Sequence, residues 1–220
     1  MYLSRLTLNS TDRRVQRELA NIYELHRTVM AGFPETLPLD ERVLFRLDEN
    51  RAGYLVLLVQ SQTAPEWKAL PDNYLLSAEQ FDPIPNPAVK RVDLTFQPDQ
   101  LLRFRLRANP TVKESREGRT QGRRVAIIRE EAQLAWLSRK AEGGGFRLNE
   151  ADVRVAEPGR DFGLTKIDPQ TGKRQRVELH IVQFDGYLLV SDPDRFIATL
   201  RAGIGSAKGF GCGLLSLAPA

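Results

Sequence analysis

Apolar positions recur with period two in several short runs and with a spacing of three to four between them, the mark of strands interleaved with amphipathic helices. Tyr2–Leu8 reads as an opening strand, followed by a polar helical stretch from Thr11 that is re-capped near Asn21 and continues through Phe33. Strands are expected over Arg42–Leu47 and Gly53–Gln62, a short helix over Pro65–Leu70 with proline in its first turn, and a closing strand over Leu75–Phe81. That order is β-α-β-β-α-β. The segment Asp82-Pro-Ile-Pro-Asn-Pro87 then reads as a linker, because proline continues neither a ladder nor a helix.

A second round of the same order follows. Leu101–Asn109 alternates as a strand, an Arg- and Gly-rich loop leads to Val125–Ile128, and Glu130–Glu142 is helical up to the stop at Gly143-Gly-Gly145. Phe146–Ala156 and Arg176–Val190 read as strands, Asp192–Arg201 as a helix with Asp192 as cap and Pro193 at its first position, and Gly211–Leu217 as the last strand. The expected fold class is α+β, with two tandem ferredoxin-like (βαββαβ) domains over 1–85 and 95–220. No close internal repeat accompanies this; the expectation rests on pattern alone.

At 220 residues, 41% hydrophobic and 27% charged, the composition is that of a soluble globular protein. The longest apolar run, Tyr54–Val59, is far short of the ~18 residues that a membrane span needs, and the N-terminus lacks the apolar core of a signal peptide, so a cytoplasmic protein with no membrane partner is expected. Net charge is only +4, yet Asp99–Arg129 holds nine basic residues against three acidic ones. Within it Arg103, Arg105 and Arg107 alternate with Phe104, Leu106 and Ala108, which places three guanidiniums on one strand face and points to a polyanion. The competing reading is a solvated face whose arginines pair with neighbouring acids. A second basic segment, Thr165–Arg176, has Asp-Pro and Thr-Gly turn signals and carries Lys166, Lys173, Arg174 and Arg176, either to grip nucleic acid or merely to solvate a loop.

Near the C-terminus Gly203, Gly205, Gly209, Gly211 and Gly213 are set among small, cationic and apolar residues, Lys208 among them. Such a backbone can adopt positive φ and approach a phosphate chain closely. Neither nucleotide-binding spacing is met: the run lacks Gly-x4-Gly-Lys-Ser/Thr, misses Gly-x-Gly-x-x-Gly by one residue, and leads into a strand where the dinucleotide pattern opens a helix. A flexible turn before the last strand is the alternative. The single cysteine, Cys212, excludes an internal disulfide and reads as a small structural loop residue.

Two histidines and no dense acidic set disfavour metal-dependent hydrolysis, so neither metal nor cofactor is expected. His180 alternates with Val177, Leu179 and Ile181 and reads as an exposed or paired strand residue. Asn21 and Glu24 have the spacing of a capping box, so a helix starts there with Ile22, Leu25, Val29 and Phe33 as its buried stripe. His26 lies at the edge of that stripe with Tyr23 on the same flank, and Arg27 adjoins it as a further candidate cation. RNA offers these residues a metal-free reaction, in which its 2′-hydroxyl attacks the adjacent phosphorus once a base takes the proton and cations stabilise the developing charge. Imidazole titrates in the range suited to that transfer, and Tyr23 would orient the hydroxyl or the phosphate.

The opening strand, Ala20-Asn-Ile-Tyr-Glu-Leu-His-Arg-Thr28, Phe104-Arg-Leu-Arg-Ala-Asn-Pro110 and Gly203–Pro219, in this order along nearly the whole chain, resemble the CasE (Cse) family of type I-E CRISPR systems, part of the repeat-associated RNA-binding (RAMP) class. The resemblance implies two ferredoxin-like domains and a metal-independent endoribonuclease. The family cuts precursor CRISPR RNA at the 3′ base of the repeat hairpin, leaves a 5′-hydroxyl and a 2′,3′-cyclic or 3′-phosphate, and keeps the product as a subunit of the Cascade complex. By position the family's catalytic histidine and tyrosine fall on His26 and Tyr23. Ile22 stands where relatives can carry proline, a change that bears on helix initiation. A third catalytic cation is expected within the 165–176 segment. A noncatalytic RNA-binding subunit of the same fold, with His26 merely structural, is the main alternative, and a regulatory module for a small acidic ligand is a third.

Overall fold

The computed structural model describes residues 1–77, 85–114, 123–157, 165–167, 174–176 and 179–220, the two short segments 165–167 and 174–176 by their backbone. In the first half the elements are β1 (Tyr2–Thr7), α1 (Arg13–Leu19), α2 (Ile22–Met30), β2 (Leu44–Glu49), β3 (Leu55–Ser61), a single 3-10 turn at Trp67–Ala69, and β4 (Ala88–Arg91). Then come β5 (Leu101–Ala108), β6 (Thr111–Glu114), β7 (Arg123–Ala126), α3 (Glu130–Gly143), β8 (Phe146–Arg147), β9 (Val153–Ala156), β10 (Thr165–Ile167), β11 (Arg174–Arg176), β12 (Val182–Val190), α4 (Pro193–Ala202) and β13 (Leu215–Pro219). The chain divides into two compact units. One holds Met1–Leu94 together with β10, β11 and Lys208–Gly211; the other holds β5–β9, β12, α4 and β13.

The first unit is an antiparallel sheet in the order β2-β3-β1-β4, the strand order of a ferredoxin-like half. Asp12 starts α1 by accepting hydrogen bonds from the backbone N–H groups of Arg14 and Val15, at 2.8 and 3.0 Å. Ile22, Leu25 and Val29 of α2 join Leu6, Phe45, Leu47, Leu57 and Val59 of the sheet in one core, each large apolar side chain contributing about 1.5–3 kcal/mol on burial. Glu18 of α1 is buried in that unit. Its carboxylate accepts from the Tyr74 hydroxyl at 2.5 Å, from Thr28 Oγ1 of α2 at 2.7 Å and from Arg14 Nε at 2.9 Å, so one acid ties α1, α2 and the segment after β3 together.

Three expectations for this half are corrected. The closing strand is β4, beyond the prolines, while Leu75 makes only a single bridge to Leu8; residues 78–81 of the expected strand lie outside the described residues. Asn86, read as part of a linker, is instead tied into the unit: its side chain accepts from Thr7 N–H at 2.9 Å and donates to the carbonyls of Thr7 and Leu76 at 2.9 and 2.8 Å. The second helix of the pattern shrinks to the turn at Trp67–Ala69, where the indole N–H donates to Ser4 Oγ at 3.0 Å.

The second unit repeats the order as β13-β5-β12-β8, with β9 also on β12. The strand expected over Phe146–Ala156 is broken in two by a 3-10 turn at Glu150–Asp152, and β12 begins only at Val182. α4 follows the expectation: Asp192 accepts from Arg195 N–H at 3.1 Å and Pro193 opens the helix. β6 and β7 form a separate hairpin that was expected only in its second strand. At Gly145, φ is +77° and a Cβ would stand 2.6 Å from the Asp192 carbonyl, so the glycine stop of α3 is dictated both by backbone and by space.

Candidate active site on the second helix

α2 carries the candidate chemistry, and Asn21 fixes where it starts by accepting from Tyr23 N–H at 3.3 Å. Only half of the expected capping box forms. The Asn21 N–H donates to the Glu18 carbonyl at 3.1 Å, and Glu24 turns instead to Arg27, 3.2 Å away. With the apolar stripe buried, Tyr23 and His26 stand half-buried on the flank, their ring centroids 6.2 Å apart and their planes inclined by 28°. Phe45 of β2 lies 5.9 Å from the His26 ring, and Phe210 lies 6.5 Å from that of Tyr23.

The glycine run supplies the other wall. Lys208–Phe210 makes one 3-10 turn, closed by Gly211 N–H donating to the Lys208 carbonyl at 3.2 Å. A methyl group on Gly209 would sit 3.8 Å from His26 Nε2 and Cδ2, so the loop backbone runs along the edge of the imidazole. At Gly211, where φ is +77°, a Cβ would stand 3.5 Å from Phe45 Cε2. Burial lowers the His26 pKa from its ordinary 6.5, because desolvation disfavours the imidazolium. The ring is therefore neutral at pH 7, the form a general base requires. Phe45 and Phe210 escaped sequence analysis. Phe45 carried a signal, since it shares the core face of β2 with Leu47, whereas nothing local marks Phe210 as a neighbour of Tyr23.

The other candidate cations are dispersed. Arg27 sits about 100° around α2 from His26, exposed and paired with Glu24, and lines a groove of about 780 Å³ with Arg14 and Arg17. The backbone of β10, which bears Lys166, runs beside α2; Arg174 and Arg176 are on its partner β11, and Lys173 lies outside the described residues. In the second unit Arg103 donates to the Pro219 carbonyl at 3.0 Å and Arg105 pairs with Asp185 at 2.6 Å. Arg107 departs from the expected open row of three: it is only 8% exposed, with Gln183 Oε1 3.5 Å from its terminal nitrogen. Gly203 and Gly205 also lie there, at φ of +72° and +81°, the latter against the Trp136 ring.

A family model described as "CRISPR associated protein" matches residues 1–219. The chain belongs to that family. Over the full length of both chains it is 40% identical to the CRISPR-associated endoribonuclease Cse3 of Thermus thermophilus, and 30% identical to the CRISPR system Cascade subunit CasE of Escherichia coli. A solved structure of CRISPR endoribonuclease Cse3 bound to a 19-nt RNA superposes with a TM-score of 0.80 at 39% identity, covering all of both chains.

For this CRISPR-associated chain the remaining candidate groups resolve simply. His180 lies outside β12, with Nε2 3.0 Å from Gln133 Nε2 of α3. Among the described residues no three His, Cys, Asp or Glu side chains gather as a metal site, and no helix is long and apolar enough to cross a membrane. Burial pushes the Cys212 thiol up to about 12, with Arg107 opposing. The native protein should therefore resist iodoacetamide at pH 8 and react fully once unfolded in urea, as read by intact mass; rapid labelling of the folded protein would contradict the structural role of Cys212.

Proposed function

We propose that this protein is a metal-independent endoribonuclease that cleaves precursor CRISPR RNA at the 3′ base of the repeat hairpin and stays on its product as a Cascade subunit in the cytoplasm. The observation that carries this reading is a neutral, half-buried His26 flanked by Tyr23 and edged by the Gly209 backbone, in a chain 40% identical to the endoribonuclease Cse3. His26 takes the 2′-hydroxyl proton, and the oxygen then attacks phosphorus. Tyr23 orients the hydroxyl or the phosphate, and a cation of the 165–176 segment, with Lys166 on the strand beside α2, offsets charge on the phosphorane. As the P–O5′ bond breaks, the 5′-oxygen takes a proton from water and leaves as a hydroxyl, and the 2′-oxygen remains on phosphorus as the 2′,3′-cyclic phosphate. Residues 1–85 carry the base and 95–220 the main RNA-binding surface, where the exposed Arg103 and Arg105 of β5 and the glycine run meet RNA phosphates.

Cleavage of a repeat hairpin from the source organism's array, in EDTA, tests the reading. One cut at the stem base with a 2′,3′-cyclic phosphate supports it; binding without any cut means a noncatalytic subunit. The rate also has a predicted pH signature. Because burial lowers the His26 pKa, the acid limb of kcat/KM, which reports the free enzyme, should be centred below 6.5. A limb centred above 6.5 would contradict His26 as the base. The same shift means that His26 makes no demand on stability at pH 7 but costs stability as the pH drops below 6.5, where the unfolded chain binds the proton more readily.

A further inference from the structure

β5 and β12 are the inner strands of the second sheet, and one face of each is core: Leu102, Phe104, Leu106, Phe184, Leu188 and Val190 are buried. On an antiparallel sheet the other face is expected to be polar. It is polar along most of its length, where Arg105 faces Asp185 and Arg107 faces Gln183. At one end the pattern reverses. Leu101 is opposite Leu189, Tyr187 is opposite Arg103, and Leu101 and Tyr187 are 48% and 43% exposed. These three apolar side chains line a cleft of about 260 Å³ whose rim is Arg147, Asn149 and Asp152.

The rim chemistry favours one occupant. Arg103 of β5 stands opposite Tyr187 and Arg147 of β8 opposite Leu189, so an exposed basic residue adjoins the patch from the strand on either side, Arg103 donating to the Pro219 carbonyl and Arg147 pairing with Asp99 at the surface, whereas the core of a protein interface is depleted of charge. An apolar floor with cations at its edge suits a nucleobase whose own phosphates lie outward, since every base has a face to stack on tyrosine and a charged backbone to neutralise. Asn149 Nδ2 donates to Asp152 Oδ2 at 3.0 Å, which holds that carboxylate at the cleft edge, where it can accept from an exocyclic amine. A base inside a stem cannot stack on a side chain, so the occupant is unpaired.

We propose that the Tyr187 cleft is a second RNA site that stacks one unpaired nucleotide of the single-stranded sequence flanking the repeat hairpin, with preference for a base bearing an amino group. The site rests on the proposed ribonuclease reading but uses neither His26 nor Tyr23. It gives the protein a hold on RNA outside the hairpin, and it makes affinity depend on what is joined to the stem.

The test compares the bare hairpin with hairpins extended at the 5′ or the 3′ side by roughly eight unpaired nucleotides, by filter binding at fixed salt. Wild type should bind one extended RNA about tenfold more tightly than the bare hairpin, the scale of a single stacked base. Tyr187→Ala should erase that difference and Tyr187→Phe should keep it. 2-Aminopurine in the extension should be quenched by wild type and not by Tyr187→Ala. A poly-U extension should gain less than a poly-C one. The site is overturned if neither extension tightens binding, if Tyr187→Ala weakens bare and extended RNA equally, or if its RNA binding is intact while assembly with the protein subunits is lost, which would make the cleft a protein contact. If wild type binds no hairpin at all, the ribonuclease reading fails first and takes the site with it.

Discussion

His26→Ala should abolish hairpin cleavage while leaving RNA binding and the melting temperature close to wild type. Removing a positioned general base costs about 10²–10⁴-fold, and little else should change, because the imidazole stands on the flank of α2 and not in its buried stripe. Among the described residues neither ring nitrogen has a hydrogen-bond partner, so truncation leaves no buried donor or acceptor stranded. Single-turnover cleavage with excess protein, alongside a binding isotherm and a melt, reads all three quantities. EDTA should leave the wild-type rate unchanged. A folded, RNA-binding His26→Ala protein that cuts within tenfold of wild type would remove the imidazole from the chemistry.

The largest effect on stability should come from Glu18→Ala. The substitution leaves the Tyr74 hydroxyl and Thr28 Oγ1 without their carboxylate acceptor inside the core and removes the acid from Arg14, a loss of about 3 kcal/mol. Tyr74→Phe removes one arm only and should cost about 1 kcal/mol. The double variant should lose less than the sum, because both deletions act on one bond. Urea unfolding of the three variants measures this, and strict additivity would mean that the two groups do not interact. Burial and the Glu18 carboxylate also push the Tyr74 phenol above its ordinary pKa of 10.0. Its contribution is fully present below pH 10 and lost above it, where tyrosine ionises readily only in the unfolded chain.

Much of this was legible in the sequence where the cause is local. Asn21 announces the start of α2, Asp192 and Pro193 that of α4, and the alternation from Leu101 gives β5, because caps, fixed φ and period two act over a few residues. The strand order within each unit follows from two rounds of β-α-β-β-α-β. Tertiary contacts were not legible. Nothing near Asn86 in sequence shows that its amide bridges Thr7 and Leu76, and so the prolines around it read as a linker. The arginine alternation on β5 predicts a face but not its burial, which for Arg107 is set by neighbours distant in sequence. In the candidate site, helical spacing put His26 and Tyr23 together, whereas Phe45, Gly209 and Phe210 reach them only through the fold.

The single 3-10 turn at Trp67–Ala69, standing where the pattern called for a helix, has a consequence for how mutable the first unit is. A full helix spreads its grip over many residues, any one of which can drift. Here the segment sends Trp67 and Tyr74 into the core, and the indole lies so close to Gly32 that a Cβ there would fall 2.5 Å from its ring. A job usually shared by a row of side chains falls largely to two aromatic rings, one of which rests against a single hydrogen atom. That makes Gly32, a residue with no chemistry of its own, one of the least negotiable positions in the half of the molecule that bears His26.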